Sequence, residues 1–474
     1  MAHRLTEAER AYFALVSEAA FANPFGSGRD AADARLIAAR KPPRRLALRE
    51  LGGEERVLAE NVICFDAFHA FVDELDLLIE QQEQAGDQPL RVRFAADLLH
   101  HLVSRGIGEP RARRILELFY QMRRAYYFIK RGLVGESESM RKLREALWQA
   151  IFTHDILGYE RYLWNRMEDF STILIGETGT GKGAAAAAIG RSGFIAFDDK
   201  KGAFVRSFRS SFVPINLNEL TESLFESEIF GHKKGAFTGA IDNHEGVLAR
   251  CPEHGTVFFD EIGEATLPVQ VKLLRVLQDR EFTPVGSRQP ERFTGRILAA
   301  THRSLAELRE RGALRDDFFY RLCSNVIEVP PLRVRIAESP RELPMLVEHL
   351  CARIAGSEAR GLAEPITLAI ERGLGKRHAF PGNVRELEQS VRRVLLTGAC
   401  ARDTARAEPK RGLAAELQDG ALTADAVLER YCALLYDRTP SYVDVARITG
   451  LDRRTVKKHI DALKRPKAGA SAAR

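Results

Sequence analysis

The sequence predicts a multidomain protein: an all-α N-terminal domain, a central α/β core on a parallel sheet with a helical segment behind it, and a small helical C-terminal domain. Three observations lead there. Apolar side chains recur every three or four positions through the first 131 residues; strand and helix signals alternate from Leu133 to about Pro331; and after Pro330-Pro331-Leu332-Arg333 the pattern turns helical again. At 474 residues the chain exceeds what one core holds, since domains run to ~150 residues.

In the N-terminal segment, Val62, Phe65, Phe68, Val72, Leu75 and Ile79 form one stripe, and Ile115, Phe119, Met122, Tyr126 and Ile129 another. Both read as bundle core. The segment shows no strand–Asp pattern of a phospho-receiver domain and no other chemistry. Hydrophobic content of 45% with 29% charged residues is ordinary globular composition, and no apolar run approaches the ~18 to 20 residues of a membrane span. Met1-Ala2-His3-Arg4 lacks the build of a signal peptide, so a cytoplasmic protein without membrane contact is expected. The six cysteines show no CxxC spacing, which speaks against a zinc site or disulfide framework. From Asp452 to Arg474 eight basic residues face two acidic ones, an excess equal to the +6 of the whole chain. Charge gathered at one end favours a nucleic-acid contact.

The central core carries the chemistry. A strand at Thr172–Ile175 runs into Gly176-Glu177-Thr178-Gly179-Thr180-Gly181-Lys182 and then a helix over Ala184–Ile189. Glycines there let backbone N–H groups close around phosphate oxygens, the helix N-terminus adds positive potential, and Lys182 bridges the outer phosphates. ATP is the expected cofactor. Gly183 stands where many such loops place a magnesium-binding hydroxyl, which leaves Mg2+ to Asp260 and water. Val257-Phe258-Phe259 predicts a buried parallel strand that delivers Asp260 and Glu261 beside the phosphates: Asp260 to hold the metal, Glu261 to orient and deprotonate the attacking water. Between these two motifs, Gly235-Ala236-Phe237-Thr238-Gly239-Ala240 serves neither a helix core nor a strand face. Something outside the fold must use it.

Near the C-terminus, Val445 to Ile460 reads as two helices about a turn. Ala446 permits close crossing, Gly450 suits a left-handed turn, and Asp452 can cap the second helix. Val456 and Ile460 would face the core, leaving Arg453, Arg454, Thr455, Lys457 and Lys458 for a major groove.

This order of motifs resembles the bacterial enhancer-binding proteins, the AAA+ activators of sigma-54 RNA polymerase. The run Glu226–Ala240 resembles the surface loop by which that family touches the sigma factor, which makes Gly235 to Ala240 the expected sigma-54 contact. The resemblance covers Leu133 to Leu396 and the C-terminal segment, whose two helices resemble a Fis-type helix-turn-helix. It implies an AAA+ P-loop NTPase with a helical lid. It also implies that Asn216 holds the catalytic glutamate inactive, that Thr301 and His302 form the nucleotide-sensing strand end, and that Arg385 senses nucleotide from the lid. Arg315 and Arg321 would reach into a neighbouring subunit's site. His302 replaces the family's usual asparagine, and Gly183 its usual glutamate. The implied partners are sigma-54 RNA polymerase holoenzyme, enhancer DNA read as two half-sites, and further copies of the chain, from dimer to hexamer.

The expected domains are 1–131 (helical, regulatory), 132–334 (ATPase core), 335–400 (helical lid), 401–421 (linker) and 422–474 (DNA-binding, with a disordered tail). Two stretches, Gly193 to Phe212 and Phe152 to Asp169, exceed the family's length and read by default as surface insertions, with regulatory contact the alternative. Two other functions stay open: a nucleotide-gated DNA-binding regulator that does not hydrolyse, and a remodelling ATPase acting on a different protein.

Overall fold

The computed structural model describes residues 5–39, 48–310, 314–400 and 423–464. The expected linker and the expected disordered tail lie outside the described residues. The chain divides into two compact units, Met1–Cys400 and Ala401–Arg474.

In the first unit, helices of seven or more residues begin with α1 (Glu7–Phe21), α2 (Arg29–Ala38), α3 (Gly53–Ala70), α4 (Val72–Ala85), α5 (Ala95–Val103) and α6 (Glu109–Gly132). Thr6 starts α1 through a reciprocal capping box with Glu9, and Pro110 sits in the first turn of α6, where its missing N–H costs nothing. The first apolar stripe of the sequence spans two helices: the chain breaks at Phe71, between α3 and α4.

α7 (Glu138–Phe152) leads into a five-stranded sheet of β1 (Thr172–Ile175), β4 (Phe212–Asn216), β5 (Thr256–Asp260), β8 (Arg296–Thr301) and β9 (Asn325–Glu328), in the order β4-β5-β8-β1-β9. Every neighbouring pair is parallel. Two short hairpins, β2 (Phe197–Asp198) with β3 (Ala203–Phe204) and β6 (Glu281–Phe282) with β7 (Glu291–Arg292), stand outside it. Successive strand residues feed opposite faces. Leu174, Phe258, Leu298 and Ala300 enter the core shared with α1 to α7 and with α8 (Lys182–Gly190). Ile173, Val257, Phe259, Ile297 and Ala299 enter a second core with α9 (Glu222–Phe230), α10 (Leu267–Asp279) and α11 (Asp316–Leu322). Burial on both faces is why these strands read as continuous apolar runs.

The two extra stretches are not surface insertions. Tyr120 of α6 stacks on Phe204 with ring centroids 3.9 Å apart, and Phe128 meets Phe208 edge-on at 5.0 Å. The Phe197 N–H donates to Glu117 (2.9 Å) and the Val92 N–H to the Gly202 carbonyl (2.8 Å). Tyr159, in the other stretch, is buried with its hydroxyl donating to Gln121 (3.0 Å). Phe197, Phe204 and Phe208 are buried, and each would forfeit roughly 1.5–3 kcal/mol if left in water, so the stretch folds inward as a clamp on α6.

The same helix closes the end of α8. Arg124, fully buried, donates to the carbonyls of Arg191 (2.7 Å) and Gly193 (2.8 Å), and the Gln121 amide donates to Ser192 (3.0 Å). These carbonyls lie just past the C-terminus of α8, where a helix leaves acceptors without internal partners. Burial pushes the Arg124 pKa down to about 10, which still leaves it charged at neutral pH.

α12 (Leu332–Glu338), α13 (Glu342–Ala355), α14 (Ala363–Leu374) and α15 (Asn383–Thr397) build a core of their own. Beneath them lies a buried ion pair. Arg335 reaches Glu342 (2.6 Å) and the Val134 carbonyl (2.6 Å), while Glu342 accepts the N–H groups of Glu136 (2.9 Å) and Ser137 (3.2 Å). A side chain on Gly135, which has φ +143°, would stand 2.2 Å from the Glu342 carboxylate. That contact is the physical reason for a glycine in Leu133-Val134-Gly135-Glu136-Ser137.

The second unit consists, among the described residues, of α16 (Ala424–Arg438), α17 (Tyr442–Thr449) and α18 (Arg453–Lys464) around Cys432, Val445, Val456 and Ile460. Gly450, at φ +70°, ends α17, and the Asp452 carboxylate accepts the Arg454 N–H (2.8 Å) to start α18. Arg453, Arg454, Lys457 and Lys458 are exposed and Thr455 is half-buried.

Candidate functional site

The site forms where β1, β8 and β5 end side by side. Gly176 leaves β1 with a Cβ position only 2.6 Å from the Val329 carbonyl, and Gly179 (φ +81°) comes within 2.3 Å of the Gly382 carbonyl in the same sense. Gly181, at φ +104°, turns the loop into α8. No L side chain fits the first two places, and the last two demand a left-handed backbone. The Thr180 hydroxyl donates to the Glu177 carbonyl (2.8 Å). Lys182 is buried and donates to the carbonyls of Gly176 (2.8 Å) and Glu177 (3.2 Å). Burial lowers its pKa, against the opposing pull of Glu261 and Asp260. Gly183 faces open space, so its missing hydroxyl is not imposed by crowding.

Asp260 ends β5, and its pKa is raised by burial and by the adjacent Glu261 charge, with Lys182 acting the other way. Among the described residues no group of three His, Cys, Asp or Glu side chains converges to hold a metal. The Asp260 carboxylate at the end of β5 is a donor of the kind that suits Mg2+, which takes one or two carboxylates and fills its remaining positions with phosphate and water.

Glu261 follows in the left-handed region (φ 59°, ψ 51°). One of its oxygens meets two groups of His302: the backbone N–H at 3.2 Å and Nδ1 at 2.7 Å. Asn216, aligned with Asp260 across β4 and β5, turns elsewhere. Its amide donates to Glu219 (2.9 Å) and its oxygen accepts the Asn218 N–H (3.1 Å). The residue that the resemblance assigns to the glutamate therefore does not touch it in this conformation. Thr301 is buried, and its carbonyl accepts the Gly176 N–H (3.3 Å), tying β8 to the phosphate loop.

The lid grips the loop from the other side. Asn383, buried with φ 53°, donates to Thr178 O (3.1 Å) and Glu177 (3.2 Å) and accepts the Leu332 N–H (2.8 Å); the Val384 N–H donates to Gly179 O (3.0 Å). Arg333 pairs with both Glu177 oxygens (2.7 and 2.5 Å), which lowers the Glu177 pKa. Arg385 is exposed, close enough for its charge to act on both Lys182 and Asp260. Sequence reasoning missed Asn383 and Arg333. Asn383 lay beside Arg385 in Gly382-Asn383-Val384-Arg385, where a buried polar residue opening a helix was the available signal.

Arg315 and Arg321 stand at the two ends of α11, away from this cluster's hydrogen bonds. Arg315 pairs with Asp317 (2.9 Å); Arg321 is exposed with no ion-pair partner among the described residues.

The loop after α9 begins where Gly231 (φ +78°) ends that helix. It is folded rather than open: the Gly235 N–H donates to Ala240 O (2.9 Å), the Ala240 N–H to Phe237 O (3.0 Å), and the Lys234 N–H to Asn243 (2.9 Å). Phe237 is 41% exposed, its ring edge-on to His232 at 4.9 Å. Thr238 and Gly239 are exposed beside it.

A parallel sheet with a glycine phosphate loop, an acidic strand end and a clasping lid defines an AAA+ module. The sequence family described as the Sigma-54 interaction domain matches residues 160–329. The DNA-binding transcriptional regulator NtrC of Azospirillum brasilense is 38% identical over 264 residues, 55% of this chain and 47% of that protein. The Nif-specific regulatory protein of Azotobacter vinelandii is 34% identical over 408 residues, 82% of this chain and 71% of that one. The chain belongs to the sigma-54-dependent transcriptional activators. It spans about half the length of the first of these relatives. The crystal structure of NtrX from Brucella abortus, 20% identical, matches 82% of this chain and 86% of that one with a TM-score of 0.43. Among the described residues no helix is long and apolar enough to cross a membrane.

Proposed function

We propose that this chain binds upstream enhancer DNA and uses ATP hydrolysis to convert a closed sigma-54 polymerase complex into an open one. The observation that carries the reading is a surface loop with Phe237 41% exposed, built into the same unit as a nucleotide site whose loop, acid pair and lid converge. In this reading Phe237, partly exposed on an internally hydrogen-bonded loop, is the side chain offered to an outside partner. The sigma factor is that partner in this reading.

In this reading residues 176–183 cradle the phosphates of ATP, Lys182 bridges the outer two, and Arg385 adds charge from the lid. Asp260 would hold Mg2+, which when bound would supply positive charge against the transferring phosphoryl group. Glu261 takes a proton from the water as its oxygen attacks the γ-phosphorus and the bond to the β-phosphate oxygen breaks. Arg315 and Arg321, exposed on α11, act in a neighbouring subunit's site, so turnover requires a homo-oligomer. The helices of residues 1–131 regulate the ATPase core (132–334) and lid (335–400) through α6, which contacts both extra stretches and the end of α8. Beyond a linker at 401–421, the helix-turn-helix of 422–474 presents Arg453, Arg454, Thr455, Lys457 and Lys458 to a major groove.

Two variants separate motor from output. Glu261→Gln should keep ATP binding while slowing hydrolysis at least ~100-fold, the usual loss with a general base. Thr238→Ala should hydrolyse ATP and fail to open promoters. ATP turnover by the purified wild-type chain excludes the non-hydrolysing alternative; promoter opening by Thr238→Ala at wild-type level would remove the loop from the reading.

A further inference from the structure

His302 occupies the end of β8, the strand between the one that delivers the phosphate loop and the one that delivers the acid pair. Its side chain is 40% exposed, so packing does not dictate its direction. It nonetheless places two groups on one oxygen of Glu261. Glu261 itself is held at φ 59°, a backbone state uncommon for a residue with a side chain, which fixes where its carboxylate starts. The chain's asparagine at the end of β4 is committed to Glu219 and Asn218. Among the described residues His302 supplies the side-chain contact to the glutamate.

We propose that His302 is an exclusive latch, holding Glu261 until the terminal phosphate of a bound nucleoside triphosphate takes the same imidazole N–H. The inference rests on the ATPase reading above. Its physical basis is donor count: a neutral imidazole has one N–H, whereas an asparagine amide has two. An asparagine at this position can serve carboxylate and phosphate together. A histidine must leave one to serve the other, so triphosphate binding and loss of the imidazole's hold on Glu261 become a single event, with the 3.2 Å backbone N–H contact alone remaining. A diphosphate lacks the competing oxygens and leaves the latch closed.

The test is a double-mutant cycle on nucleotide binding by the full-length chain, comparing Mg·ADP with the non-hydrolysable triphosphate Mg·AMPPNP. Glu261→Ala should tighten AMPPNP about tenfold or more, the scale of one hydrogen bond to a charged group, and leave ADP unchanged. In a His302→Ala background that gain should vanish, and the preference for AMPPNP over ADP should fall. His302→Asn should restore the preference. ADP binding in every variant shows that the fold is intact. An equal gain from Glu261→Ala in both backgrounds would mean simple charge repulsion and would overturn the latch while leaving the ATPase reading in place. Failure of the wild-type chain to bind either nucleotide would overturn both.

Discussion

At the scale of single residues, the most consequential choices are polar groups buried with full partnership. Glu342 is fully buried, paired to Arg335, and accepts the two N–H groups just ahead of α7. Losing one partner of such a pair leaves the other charge uncompensated, at a cost of about 3–5 kcal/mol. Glu342→Ala is expected to lower the unfolding free energy by that amount in urea titration, far more than Arg10→Ala on the exposed pair with Glu55. The Glu177–Arg333 pair, exposed rather than buried, carries a pH sign instead. The Glu177 pKa is lowered in the folded state by the Arg333 hydrogen bonds, so the tie from loop to lid is present above the ordinary carboxylate range and is lost as pH falls through the lowered value. Nucleotide affinity should weaken in acid, less steeply in Glu177→Gln. Equal profiles for the two proteins would remove this pair as the cause.

At the scale of elements, α6 stands out. It is a 24-residue helix whose one side faces the N-terminal core and whose other side meets the β2–β3 hairpin, the Tyr159 segment and the end of α8. Arg124 therefore links the N-terminal helices to the helix that begins with Lys182. Arg124→Ala removes two charge-assisted hydrogen bonds to part-buried carbonyls just past the α8 terminus, a loss of about 3 kcal/mol. Chemical denaturation should show that loss, and the variant's Michaelis constant for ATP should rise as α8 loosens. Unchanged stability would show that water or a neighbour replaces the guanidinium.

At the scale of the whole molecule, the proposed ring makes catalysis a property of the assembly. The Arg321 side chain is exposed with no ion-pair partner among the described residues, and in the proposed ring it serves a neighbouring subunit. Mixing Arg321→Ala with Lys182→Ala subunits should restore part of the ATPase activity that each lacks alone, because a hybrid interface joins an intact loop to an intact arginine. No recovery at any ratio, with mixed assemblies present, would count against trans catalysis. The shared core also bears on dissection of the chain. Leu174, Phe258 and Leu298 lie in one cluster with Leu75, Ile115 and Ile129, so deletion of residues 1–131 uncovers apolar surface of the ATPase core. Such a truncation should bind hydrophobic dyes and unfold at lower temperature than the full chain.

The sequence by itself determined whatever depends on local geometry. The loop Gly176–Lys182 was legible because close backbone approach admits only glycine; strands β1 and β5 were legible because burial on both faces favours apolar residues, while the end of β8 came only from the family resemblance; the turn at Gly450 was legible because a left-handed end favours glycine. Tertiary structure alone decided the partners. Nothing in the spacing of Gly193 to Phe212 told an exposed insertion from a clamp, since phenylalanines such as Phe204 and Phe208 suit any surface that covers them, and α6 supplied theirs. Nothing in Asn216 or His302 said which would meet Glu261. That choice turns on where three strand ends and a left-handed glutamate bring their side chains, a matter of angstroms set by residues far apart in the chain.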